Sequence, residues 1–215
     1  MTILEKENNL FKQWKSEDNN WVKDGVVNEN EYLKYKQKVL FILKEANGGK
    51  DEKWIDGDLR TFLKDGARAY TWNNIVRWQY GIENINNSMS YWNIKVDNKF
   101  RKEYLSKTAV INLKKIPGNS SSNTKEIAQF AETDKKNIIK QIDIYKPNII
   151  ICCGTGSIVK EKNIIFESII WKHSSFGVNY FKKDETIIID YFHPAARKNG
   201  ATLFWNLIKT IREIK

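Results

Sequence analysis

The sequence predicts an α/β fold, a three-layer α/β/α sandwich around a central, mainly four-stranded parallel sheet. Three observations carry this. Val39 to Leu43 is an unbroken apolar run that ends in charge and then Asn47, Gly48 and Gly49. A short apolar run closed by turn residues reads as a strand buried on both faces. Three later stretches repeat the pattern: AVINLKKIPGN, NIIICCGTGS and TIIIDYFHPAAR. Segments of helical period lie between these runs, which is the alternation of a parallel sheet. Ligands in such sheets bind outside the carboxyl ends of the strands, so four strands would deliver four loops to one cleft.

In chain order, Leu10, Phe11 and Trp14 have helical spacing and predict one amphipathic helix within residues 1–22. Glu29 to Gln37 follows Asn28, a helix cap, and leads into the first strand. Leu59 to Lys64 reads as a short helix. Trp72, Ile75, Val76 and Gln79 share a helical face in the segment Tyr70 to Tyr80, with Gly81 expected to end it. Lys99 to Lys107 is a further short helix before a strand at Thr108 to Leu113. Asn123 or Thr124 caps a helix from about Lys125, and Thr133 or Asp134 caps another that Pro147 terminates. Asn148 to Cys153 is the third strand, followed by a short helix at Ser157 to Glu161. Ile164 to Trp171 and Val178 to Phe181 read as weaker strands, and Thr186 to Tyr191 as the last clear one. Ala201 to Ile214 closes the chain as a helix. The 215 residues show no internal repeat and no dividing linker, so one domain is expected over 1–215.

Composition narrows the function classes. Hydrophobic residues make up 41% of the chain and aromatics 13%, which is a folded protein. The net charge of +10 favours a polyanionic partner, most simply nucleic acid, although basic soluble proteins are common. Cys152 and Cys153, the two cysteines, are adjacent in an apolar run. That excludes a disulfide framework and an all-cysteine metal site, and fits buried thiols in a reducing cytoplasm. No apolar stretch reaches membrane-span length, and MTILEKENN has no signal-peptide pattern. A cytoplasmic monomer that holds no metal and no cofactor is expected.

Three polar residues stand at strand ends. Glu45 could hold or polarise a water, or face solvent paired with Lys44. Asn112 carries two donors and an acceptor, so it could read a base edge or tie two loops together. His193 could donate from a fixed neutral imidazole to a developing oxyanion, or bond a neighbouring carbonyl. The GTG at 154–156 lacks the spacing of a dinucleotide fingerprint and the lysine of a phosphate loop.

Taken together these loops resemble the uracil-DNA glycosylase superfamily, nearest the branch with the motif GEAPG. KEANG at 44–48 is similar to that motif, keeping Glu45, Ala46 and Gly48. INLKKIPGN at 111–119 resembles the segment TN-V-K-x-R-P-P-G-N, with Asn112, Lys114, Pro117, Gly118 and Asn119 in step. IIKQIDIYKPNIIICCG at 138–154 and HPAAR at 193–197 look like the helix–Lys-Pro–strand–Gly stretch and the His-Pro loop. The set covers residues 39–49 and about 108–200 in the family's order.

The resemblance implies a DNA glycosylase that hydrolyses the bond between deoxyribose and uracil or a related damaged base. His193 would donate to the departing base and Glu45 would position water. Asn112, with Ala46 and Asn47, would contact the base. Lys114, Lys115, Ser120 to Ser122, Arg197 and Lys198 would touch DNA. Trp54 and Phe62 are the candidates for an aromatic that stacks on uracil. Members of this branch hold an iron–sulfur cluster through four cysteines. Cys152 and Cys153 are not at those places, so no cluster is expected. Lys44 replaces a glycine and Asn47 a proline of the motif. The alternatives are a catalytically divergent nucleic-acid or modified-base binder on the same fold, or another hydrolase acting on free nucleotides.

Overall fold

The computed structural model describes residues 1–14, 20–48, 57–67, 70–119, 121–165 and 167–215. Its centre is β2 (Val39–Leu43), whose five side chains are at most 5% exposed. β2 runs parallel to β3 (Thr108–Asn112) on one side and to β4 (Ile149–Cys153) on the other. β7 (Thr186–Tyr191) continues the sheet parallel to β4. These are the four apolar runs of the sequence. A strand covered on both faces has no solvent side, so it shows no polar alternation. Burying each of its large aliphatic side chains contributes roughly 1.5–3 kcal/mol.

Antiparallel strands extend both edges. β1 (Gly25–Val26) pairs with β3, β6 (Asn179–Lys183) with β7, and β5 (Lys172–His173) with β6. The full order is β1-β3-β2-β4-β7-β6-β5. The four parallel strands thus form the middle of a seven-stranded mixed sheet among the described residues.

Helices cover both faces. On one side α3 (Leu59–Lys64), α4 (Tyr70–Glu83), α5 (Asn98–Ser106) and α9 (Gly200–Ile214) pack on Val39, Phe41, Val110, Ile151 and Ile189. On the other, α1 (Ile3–Trp14), α6 (Thr124–Thr133), α7 (Lys135–Tyr145) and α8 (Gly156–Glu161) pack on Leu40, Ile42, Ile111, Ile150 and Ile188. The short α2 (Glu29–Lys34) is capped by Asn28, whose side chain accepts the Glu31 N–H. Asn123 caps α6 in the same way.

Two expectations are corrected. Gly81 does not end its helix: α4 runs on to Glu83. A Cβ at Gly81 would lie 2.6 Å from Ile208 Cδ1, so the glycine lets α9 approach α4 closely. Ile164 to Trp171 is not a strand. Asn163 (φ 51°) and Ser168 (φ 60°) take left-handed conformations that break an extended chain, and the described part of the segment forms turns and bends.

Candidate functional site

Because β3, β2, β4 and β7 are parallel neighbours, their carboxyl ends share one edge of the sheet. The four loops that leave this edge are bonded to one another. Leu113 N–H donates to Leu43 O at 3.0 Å and Lys114 N–H to Lys44 O at 2.9 Å, prolonging the β2–β3 pairing. Gly118 N–H then donates to Ala46 O (2.9 Å) and Gly48 N–H to Gly118 O (3.1 Å). Gly154 N–H donates to Tyr191 O at 2.7 Å, and Thr155 Oγ1 to Ile42 O at 3.0 Å. Asn74 of α4, buried, donates from Nδ2 to Pro194 O at 2.6 Å and fixes the His-Pro turn.

Glu45 does not face solvent, nor does it pair with Lys44. Its carboxylate is buried, and Oε2 accepts from Lys114 Nζ at 2.9 Å. Lys114 also donates to Glu126 of α6 at 2.7 Å. The carboxylate rests on Gly118, where any Cβ would overlap it. Gly118→Ala is therefore expected to push Glu45 off Lys114 and to cost about 1–3 kcal/mol in urea unfolding.

His193 lies beside Gly154, which an added Cβ would place 3.5 Å from the His193 Cβ. Its Nδ1 accepts the Ala195 N–H at 3.1 Å. That bond leaves Nε2 as the protonated nitrogen of the neutral ring. Burial, and then the charge of Lys44, push the imidazole pKa below its ordinary value. The ring is neutral at physiological pH, and Nε2–H is its donor.

Asn112 ends β3 with 2% of its surface exposed. Its Oδ1 is buried and has no hydrogen-bond partner among the described residues. Leaving a buried acceptor bare costs about 1–3 kcal/mol; among the described residues the amide oxygens of Gln37, Gln79 and Asn98 are bare as well. A ligand with a donor N–H would satisfy that of Asn112.

The main chain of Asn112 is held from below. Its N–H donates to Asp24 Oδ2 at 2.7 Å. Asp24 is fully buried and also accepts from Lys115 Nζ (2.6 Å) and Gln141 Nε2 (2.9 Å). Gln141 Nε2 is 2.8 Å from Tyr145 Oη, and its Oε1 accepts from Lys115 at 2.9 Å. Burial pushes the Lys115 ammonium pKa down, against the pull of Asp24.

Several predicted site residues are therefore placed differently from expectation. Lys114 and Lys115 are not surface phosphate contacts; both are buried and ion-paired, to Glu45 with Glu126 and to Asp24 respectively. Ala46 belongs to the core on the α4 face, so its methyl group packs rather than lines an open pocket. Asn47 is exposed and pairs in parallel register with Gly118. Ser121, Arg197 and Lys198 are exposed. Phe62 is 42% exposed on α3. Ser120 and Trp54 lie outside the described residues. Cys152 and Cys153, fully buried, point into opposite cores and so do not converge on a common ligand. Burial pushes both thiol pKa values up. Among the described residues no three His, Cys, Asp or Glu side chains are grouped to hold a metal ion, and no helix is long and apolar enough to cross a membrane.

No protein-family model matches the chain, and a search of curated proteins finds no match. The functional reading therefore rests on the geometry of the four loops. A cavity of about 350 Å³ lies elsewhere, at Pro147, Ile150 and Thr186 near the starts of β4 and β7, and shares no residue with these loops.

Residues that sequence reasoning missed are Asp24, Asn74 and Phe192. Asp24 precedes a two-residue strand with no readable period. Asn74 sits on the buried face of a helix, where an amide breaks the apolar pattern. Phe192 lies one residue past the strand read at Thr186 to Tyr191, next to His193, and is 43% exposed.

Proposed function

We propose that this protein is a DNA glycosylase of the uracil-DNA glycosylase type, acting on uracil or a related base. The order of the parallel strands, with all four motif-bearing loops at one carboxyl edge, supports the fold expected of that superfamily. The reading is carried by an unmet acceptor, Asn112 Oδ1, and a neutral donor, His193 Nε2, on two of the loops that leave this one edge.

The chemistry matches what those two atoms offer. Uracil presents N3–H, a donor, where cytosine presents a lone pair. An unpartnered buried acceptor therefore favours uracil, and leaving it bare with cytosine would carry the penalty of an unmet group. As the glycosidic bond breaks, the electron pair goes to the base, which becomes an anion. A fixed Nε2–H stabilises the charge growing on its oxygen without first losing a proton. The sugar becomes cationic, and Glu45, held by Lys114, adds a carboxylate to the same group of loops. Its Oε1 is the atom that would orient the attacking water. The base has to leave the duplex to reach these atoms.

The burial of Glu45 against Lys114 favours a second reading, a catalytically divergent binder of nucleic acid or modified bases. One experiment separates the two. A labelled oligonucleotide carrying one uracil is incubated with the protein and treated with alkali. Strand scission at the uracil, absent from a cytosine control, is the expected result. Binding without scission, on uracil and on a panel of modified bases, would replace the enzyme reading with the second.

A further inference from the structure

The surface around the His193 loop carries features that neither the strand ends nor the buried pairs explain. Phe192, the residue before His193, is 43% exposed, and Trp92 is 77% exposed, among the largest exposures of any apolar side chain in the molecule. Both border the segment 192–200. Phe192 begins it. Trp92 stands in the turn Tyr91–Asn93, which is seated against its end: a Cβ at Gly200 would overlap the Tyr91 hydroxyl. Trp92 and Tyr91 meet edge to face, with ring centroids 5.3 Å apart, which orients the indole.

Cations lie between Phe192 and Gly200 in sequence. Lys198 holds its ammonium 4.6 Å from the centre of the Phe192 ring. Arg197 is exposed and makes no ion pair among the described residues. Exposed aromatic rings beside cations are poor surface for water and good surface for an unpaired strand. Bases stack on the rings, and phosphates meet the cations. A duplex keeps its base faces stacked inside and could use only the cations.

We infer that the segment 192–200 and the adjoining turn at 91–93 form a platform for single-stranded DNA, with Phe192 and Trp92 as stacking surfaces and Arg197 as a phosphate contact. The inference rests on the reading of the neighbouring loops as a nucleobase site, and it adds to that reading a preference for unpaired over duplex substrate. The net charge of +10 supplies the complementary field.

The test uses an unmodified, fluorescein-labelled 12-nucleotide oligothymidylate, which contains no base to be released. Its binding to the full chain is followed by fluorescence anisotropy beside a duplex of the same length. The single strand is expected to bind more tightly than the duplex. Trp92→Ala and Phe192→Ala are each expected to weaken single-strand binding about 5- to 150-fold and to leave duplex binding unchanged. Arg197→Ala should lower the salt dependence of both. Phe192→Tyr should bind as the wild type does, which separates stacking from loss of fold. Ile170→Ser, at an apolar side chain 73% exposed outside this surface, is the control. Equal affinity for the two forms, or wild-type single-strand affinity in both alanine variants, would overturn the platform. Tight single-strand binding without release of uracil would overturn the glycosylase reading and leave the platform standing.

Discussion

Asp24→Ala is expected to lower the stability of the fold by about 3–5 kcal/mol, the usual result of removing one partner from a buried ion pair. Asp24 is fully buried and serves three donors: the Asn112 N–H, Lys115 Nζ and Gln141 Nε2. Without it, the Lys115 ammonium keeps the Gln141 carbonyl oxygen as its hydrogen-bond partner among the described residues, with the Trp14 ring 4.8 Å away and the charges of Asp134 and Glu7 beyond hydrogen-bond contact. The loss is a large share of the roughly 5–15 kcal/mol that holds a typical domain. Urea unfolding should show a lower midpoint with an unchanged slope. The double variant Asp24→Ala, Lys115→Met should recover part of the loss, because it removes the stranded charge as well. An unfolding free energy for Asp24→Ala within about 0.5 kcal/mol of the wild type would show that the pair does not hold the end of β3.

The second large effect is on chemistry. His193→Ala is expected to reduce uracil release about 100- to 1,000-fold, the usual consequence of deleting one donor to a developing anion. Its stability should change much less, since the ring makes one hydrogen bond, to a main-chain N–H. The pH dependence has a defined sign. The imidazole pKa lies below the ordinary 6.5, first through burial and then through Lys44. As the pH falls past 6.5, an unfolded histidine takes up a proton before the folded one does. The folded chain therefore loses stability over that interval, while the neutral donor form persists. Base release should stay level as the pH falls through 6.5 and decline only below the lowered value. A decline that begins above pH 6.5 would contradict the assignment of His193 as a neutral donor. Removing the Lys44 charge should bring the decline to higher pH.

Much of this frame is legible in the sequence. Each parallel strand is five or six residues long around an unbroken apolar run of at least three, and each strand stops at the edge where its loop begins. Asn28 and Asn123 mark helix starts because an amide oxygen there meets an otherwise unpaired N–H. What is not legible is the pairing of distant residues. Lys114 and Lys115 look like two solvated cations in KKIPGN. Extended chain sends neighbouring side chains to opposite sides, and here each side holds a buried carboxylate, Glu45 on one and Asp24 on the other. Asp24 lies 88 residues before the amide that it holds, and no local pattern reports such a contact. Gly81 reads as a helix stop because glycine favours that position. Its role here is to admit Ile208 and Phe204 of α9, and that depends on a helix more than a hundred residues away.

The most direct measurement of the central claim is the appearance of the free base itself. A single-stranded oligonucleotide with one uracil is incubated with wild-type protein and with His193→Ala, and the small-molecule fraction is analysed by mass spectrometry. Free uracil in the wild-type reaction, reduced at least 100-fold in the variant, is the predicted result. Equal amounts of uracil from both proteins would contradict the role given to His193, and none from either would contradict the glycosylase reading.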